Sequence, residues 1–108
     1  MEVDIETMRL DRTPRRTTIW LVVDGDEVFA RSWKGDRAYW YQSALEAPDE
    51  VTLHIGRRAI PVRVVSATDD SSLGRCSRAL THKYATDPAV QVMVRPSILG
   101  TTVRLEPR

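Results

Sequence analysis

Residues 17 to 23 read TTIWLVV, an unbroken run of β-branched, aromatic and aliphatic side chains, and Asp24-Gly25 follows directly. Such a run has the pattern of a strand buried on both faces. Asp-Gly supplies the positive φ angles of a tight hairpin, so the chain is predicted to return antiparallel through EVFARSW, residues 27 to 33. Lys34-Gly35 ends that strand.

The other segments follow from their periodicities. Val3 and Ile5, then Met8 and Leu10, suit an early strand with a bulge between the pairs. In DRAYWYQSALEA, Trp40 with Ala44 and Tyr41 with Leu45 lie four residues apart, which predicts a short helix with Asp36 as cap and Pro48 as stop. Val51, Leu53 and Ile55 alternate with Thr52 and His54. After the Gly56-Arg57 turn, Ile60, Val62 and Val64 answer as the partner strand, with Pro61 favouring an edge. Residues 68 to 71 offer N-cap oxygens to an amphipathic helix carrying Leu73, Cys76, Leu80 and Tyr84. Asp87-Pro88 starts a second short helix that Pro96 halts, and Gly100 opens the closing strand TTVRLEP. Six strands with two or three short helices make an α+β chain, most simply a small antiparallel barrel with helices on one side. With 108 residues and no linker or repeat, residues 1 to 108 are expected to form one domain.

Charge and composition exclude several classes of partner. Sixteen Lys and Arg against fifteen Asp and Glu leave +1, so no global field draws nucleic acid or an anionic membrane. The longest wholly apolar run, Ile19 to Val23, is too short to cross a bilayer. A lone Cys76 and an acidic start fit a cytoplasmic protein. Cys76 sits on the apolar stripe of its helix, and His54 and His82 with one distant cysteine match no zinc spacing, so no metal is expected. Helix capping explains Asp69-Asp70, and the glycines stand singly at turns, so neither a catalytic acid or base nor a phosphate loop is assigned.

What remains is RSWKGDRAYWY, residues 31 to 41, where Arg31, Lys34 and Arg37 are interleaved with Trp33, Tyr39, Trp40 and Tyr41. Strand parity sets Phe29, Arg31 and Trp33 on one face. If that face is the core, Arg31 is a buried charge costing several kcal/mol unless an anion or carboxylate meets it. If it is the outer face, Arg31 is solvated or pairs with Asp24, Asp26 or Glu27.

The order RTTIWLVVDGDEVFARSWKGDRAYWY resembles the FMN-binding split β-barrel group, which includes pyridoxamine-phosphate oxidases and deazaflavin-dependent nitroreductases. It is most similar to a family of uncharacterised small proteins in that group, through TTIW, RS, WY, the Lys83-Tyr84 pair and the late TTVRLEP. The resemblance implies a split barrel and an FMN phosphate held by Arg16, by Arg31 and Ser32, and by Arg37, with Lys34 near enough to substitute. It places the isoalloxazine along the backbone of Thr17, Thr18, Ile19, Trp20 and Leu21, with Trp33, Trp40 or Tyr41 as a wall. It also implies a homodimer with the cofactor between its chains, the Lys83-Tyr84 region or the late strand completing the site. FMN is preferred to a deazaflavin, whose acidic tail would want a further basic groove such as Arg57-Arg58. The implied function is a flavin- or deazaflavin-dependent oxidoreductase with a small-molecule redox substrate, the alternative being a non-catalytic ligand carrier or sensor. Arg31 departs from the oxidases, which usually have an aromatic residue there, and their substrate-binding tail is not recognisable in TTVRLEPR, so pyridoxamine oxidation is not implied.

Overall fold

The computed structural model describes residues 2 to 108. Seven antiparallel strands form one sheet: β1 (Glu2–Met8), β2 (Pro14–Trp20), β3 (Val22–Asp24), β4 (Glu27–Ala30), β5 (Val51–Ile55), β6 (Arg58–Ser66) and β7 (Val103–Pro107). Four helices accompany them: α1 (Tyr39–Glu46), α2 (Asp70–Lys83), α3 (Val90–Met93) and α4 (Pro96–Leu99). The strand order is β2-β1-β5-β6-β7-β4-β3. The first and last strands of that order are consecutive in the chain and joined at Leu21, so the sheet curls round into a split barrel, the α+β class expected. The outer edge of β2 has no strand partner among the described residues. That edge is the split.

The strand count is seven, not six, because the 17 to 23 run changes partners half-way. Its first part pairs with β1 and its last part with β4. Nor is it buried on both faces: Ile19, Leu21 and Val22 are buried, Trp20 is half-buried, and Thr18 and Val23 are exposed. Within β2 the ordinary pleat alternates, and the bend at Leu21 turns two consecutive residues inward. The hairpin after it forms as expected, with Asp24 opposite Glu27 and Gly25 at φ 63°.

Five further expectations are corrected. β1 has no bulge: its register against β2 is continuous, Val3, Ile5 and Thr7 point inward, and Leu10 is 86% exposed in the turn beyond. The polar Thr7 occupies an inward place and masks the alternation. β4 ends at Ala30, opposite Val103 where β7 begins, so residues 31 to 33 leave the sheet. Asp36 caps no helix: the chain takes a 3-10 turn at Gly35–Arg37, α1 starts at Tyr39, and the Asp36 backbone carbonyl accepts from Gln42 Nε2 (2.8 Å). Pro96 does not merely halt α3; it opens α4, with Arg95 before it extended as a pre-proline residue prefers. Pro61 lies in an interior strand, yet its carbonyl faces past the end of β7 toward the Arg108 amide (3.4 Å), so the ladder loses no donor.

The core has two parts. Val3, Ile5, Ile19, Leu53, Val64 and Leu105 fill the inside of the curl under Trp40 and Ala44 of α1. Val22, Phe29, Cys76, Leu80 and Met93 pack where α2 and α3 cover the β3–β4 hairpin. Burying each large side chain contributes about 1.5–3 kcal/mol. Asp69 caps α2, its carboxylate accepting from the Ser72 amide (3.1 Å), and Arg75 ties the helix to Asp24 and Glu27.

Candidate functional site

Leaving β4, residues Arg31 to Lys34 run toward the unpaired edge of β2, and two adjoining concavities lie between. One, of about 400 Å³, is lined by Arg15, Thr17, Thr18, Lys34, Arg37 and Trp40. The other, of about 270 Å³, is lined by Ile19, Trp20, Arg31 and Met93. Both share Thr18 and Trp33, so together they form one trough along β2. Trp33 is 50% exposed, an unusual state for so large an apolar ring.

The first concavity is strongly positive. Arg15, Lys34 and Arg37 line it, no carboxylate does, and none of the three is in an ion pair among the described residues. The Arg15 guanidinium lies 4.5 Å from the Tyr39 ring centroid, a cation–π contact that aims it without neutralising it.

Arg31 resolves the parity question in favour of the core. It is 1% exposed, and neutral acceptors meet it. Nε donates to Thr102 Oγ1 (2.7 Å), Nη1 to Ser77 Oγ (2.7 Å) and the Met93 carbonyl (3.1 Å), and Nη2 to the Leu73 carbonyl (2.8 Å). Four of its five donors are thus engaged, which is how a buried guanidinium is accommodated without a counter-ion. Burial pushes its pKa below the ordinary arginine value and pushes the neighbouring Cys76 thiol up to about 11. Arg31 therefore braces β7, α2 and α3 while forming part of the trough. Ser32 is buried beside it, its amide donating to Thr101 Oγ1 (3.1 Å) and its own Oγ without a partner among the described residues.

The structure brings Thr17, Thr18, Lys34, Arg37 and Trp40 to one end of the trough and Ile19, Trp20 and Arg31 to the other. Arg16 lines neither; it lies opposite Glu6 of β1, on the same face by strand parity as Thr18 and Trp20. Arg15, which sequence reasoning passed over, shares the face of Thr17 by strand parity, but Thr17 and Thr18 both line the trough, so parity alone does not choose Arg15 over Arg16. Trp40 is buried at the base, edge-on to Tyr41 (ring centroids 6.0 Å apart, planes at 83°). Tyr84 stacks on Trp20 (3.9 Å, 7°), and Lys83 Nζ donates to the Leu21 carbonyl (3.2 Å). The Lys83-Tyr84 pair thus clasps the bend between β2 and β3. Among the described residues, no group of His, Cys, Asp and Glu is placed to hold a metal ion, and no helix is long and apolar enough to cross a membrane.

The model of a family described as an uncharacterized protein conserved in bacteria (DUF2255) matches residues 1 to 105. The chain belongs to that family. No curated protein sequence matches it. Among solved structures, it is similar to a Listeria innocua protein assigned as a pyridoxamine 5'-phosphate oxidase (TM-score 0.70, 15% identity, covering 99% of this chain and 83% of that one). It is similar to an F420-H2-dependent reductase (TM-score 0.70, 14% identity, 97% and 93% covered). It is also similar to HutZ, the heme storage protein of Vibrio cholerae (TM-score 0.68, 11% identity, 99% and 81% covered). At such identities the likeness is one of fold alone.

Proposed function

We propose that this family member binds a flavin-type cofactor along the outer edge of β2, FMN in preference to a deazaflavin, and acts as a homodimeric oxidoreductase on a small-molecule substrate. One observation carries the reading: Arg15, Lys34 and Arg37, from two separate segments, line one concavity free of carboxylates. A phosphate monoester carries nearly two charges at neutral pH, and such a cluster suits it. The other end of the trough suits a flat heterocycle, with Trp20, Trp33 and Met93 as walls and an unpaired strand edge to offer backbone donors and acceptors. The residues present fit the group.

When bound, the cofactor supplies hydride chemistry. The chain's own residues do the rest. Lys34, Arg37 and Arg15 hold the phosphate. The Thr17 to Trp20 backbone orients the ring, and Trp33 and Trp20 exclude water from it. Arg31, already spent on four protein acceptors, bounds the ring end together with Glu2 instead of gripping phosphate.

The test is an absorption spectrum of the purified protein after FMN loading and desalting, with its mass measured by light scattering. The expected result is a retained flavin band that bleaches under a reduced nicotinamide, at a mass of two chains. A colourless protein contradicts cofactor binding. A band that resists bleaching contradicts redox activity and leaves a carrier or sensor, and a one-chain mass contradicts the dimer.

A further inference from the structure

A third concavity, of about 580 Å³, lies on the other side of the Trp33-Lys34 segment, against the corner between α3 and α4. We infer that it binds a small monocarboxylate with a flat, apolar body, the carboxylate meeting Arg95 and Lys34 and the body lying among Trp33, Tyr41 and Ile98.

The charge of the lining sets the anion. Lys34 and Arg95 line the concavity, and neither is in an ion pair among the described residues. Asp36 is the one acid of the lining, so in the cofactor-free protein two cations face one carboxylate and a single positive charge is left over. That surplus suits a monoanion better than a dianion or a neutral molecule. Both cations spring from fixed backbone. Lys34 lies in a turn closed by the Gly35 amide on the Ser32 carbonyl (3.0 Å), with Gly35 at φ 66°. Arg95 lies between two helices, its amide bonded to the Val92 carbonyl (3.1 Å) and its carbonyl to the Ile98 amide (2.9 Å). Such anchoring lowers the ordering cost of the contacts they make.

The walls set the body. Trp33 and Tyr41 are aromatic, and Ile98 is aliphatic and buried. The Tyr41 hydroxyl donates to the Gly100 carbonyl (3.4 Å), and burial, helped by Asp36, keeps its ionisation above the usual range, so no phenolate competes with an incoming anion. Trp33 and Lys34 also line the cofactor trough, so a molecule here adjoins that trough. Lys34 is shared with the phosphate end of that trough, so the anion site is a site of the cofactor-free protein and does not rest on the cofactor reading.

The test is calorimetric titration of the full chain with trans-cinnamate and with trans-cinnamamide, its neutral isostere. Cinnamate is expected to bind at least about tenfold tighter than the amide, because the carboxylate accepts charge-assisted hydrogen bonds. Arg95→Gln is expected to weaken cinnamate at least about tenfold and to leave FMN affinity unchanged, whereas Arg95→Lys recovers most of the binding. No heat from cinnamate, equal affinity for the amide, or full cinnamate affinity in a folded Arg95→Gln protein would overturn the site. Should cinnamate behave as expected while FMN fails to bind, the cofactor reading falls and the anion site stands; the opposite pattern removes the anion site alone.

Discussion

Arg31→Ala lowers unfolding free energy by about 3–5 kcal/mol in urea or thermal denaturation, the largest effect expected of any single substitution at the site. The side chain bonds two hydroxyls, Thr102 and Ser77, and two main-chain carbonyls, Leu73 and Met93. Each such bond is worth about 1.5–3 kcal/mol because the donor is charged, and the cost of holding a cation out of water offsets part of the sum. Truncation leaves buried acceptors unsatisfied and opens a cavity beside Cys76, and the two penalties add. Arg31→Lys recovers little, since a single ammonium cannot span acceptors arranged for a planar fork. Arg31→Met costs less than Ala, because it refills the volume and removes the burial penalty together with the bonds. An Arg31→Ala protein within about 1 kcal/mol of wild type would show that these bonds hold nothing.

Replacing both Lys34 and Arg37 by Ala weakens FMN at least about a hundredfold, each lost charge-assisted bond costing roughly 1.5–3 kcal/mol. Both residues are exposed and in no ion pair among the described residues, so the melting temperature stays near that of wild type. Affinity and stability thus separate here, whereas at Arg31 they fall together. Arg16→Ala is the contrast: lining neither concavity and lying opposite Glu6, it leaves FMN affinity within about twofold. A large effect from Arg16 and none from the Lys34 and Arg37 pair, measured by fluorescence titration, would move the phosphate out of this concavity toward Arg16.

Local chemistry carried the fold a long way. The Asp24-Gly25 hairpin, the Asp69 cap, the alternating β5 and β6 strands and the α2 stripe all follow from neighbours a few residues apart. The bend at Leu21 does not, because a β-branched run looks the same whether it keeps one partner or exchanges β1 for β4. Asp36 had the chemistry of a cap, but Gly35 at φ 66° and the 3-10 turn set the helix start at Tyr39. At the site, the convergence of Lys34, Arg37 and Trp40 was legible in a short stretch. The acceptors of Arg31 were not, since they lie 42 to 71 residues away in sequence. Nor was the choice of Arg15 over Arg16, since residues from both faces of β2 line the trough.

The most direct test compares FMN with riboflavin, which has the same ring system and lacks the phosphate, by calorimetric titration of the wild-type protein at low salt. If Arg15, Lys34 and Arg37 form a phosphate site, FMN binds at least about a hundredfold tighter and the difference narrows as salt is raised. Equal affinities for the two, unaffected by salt, would contradict it.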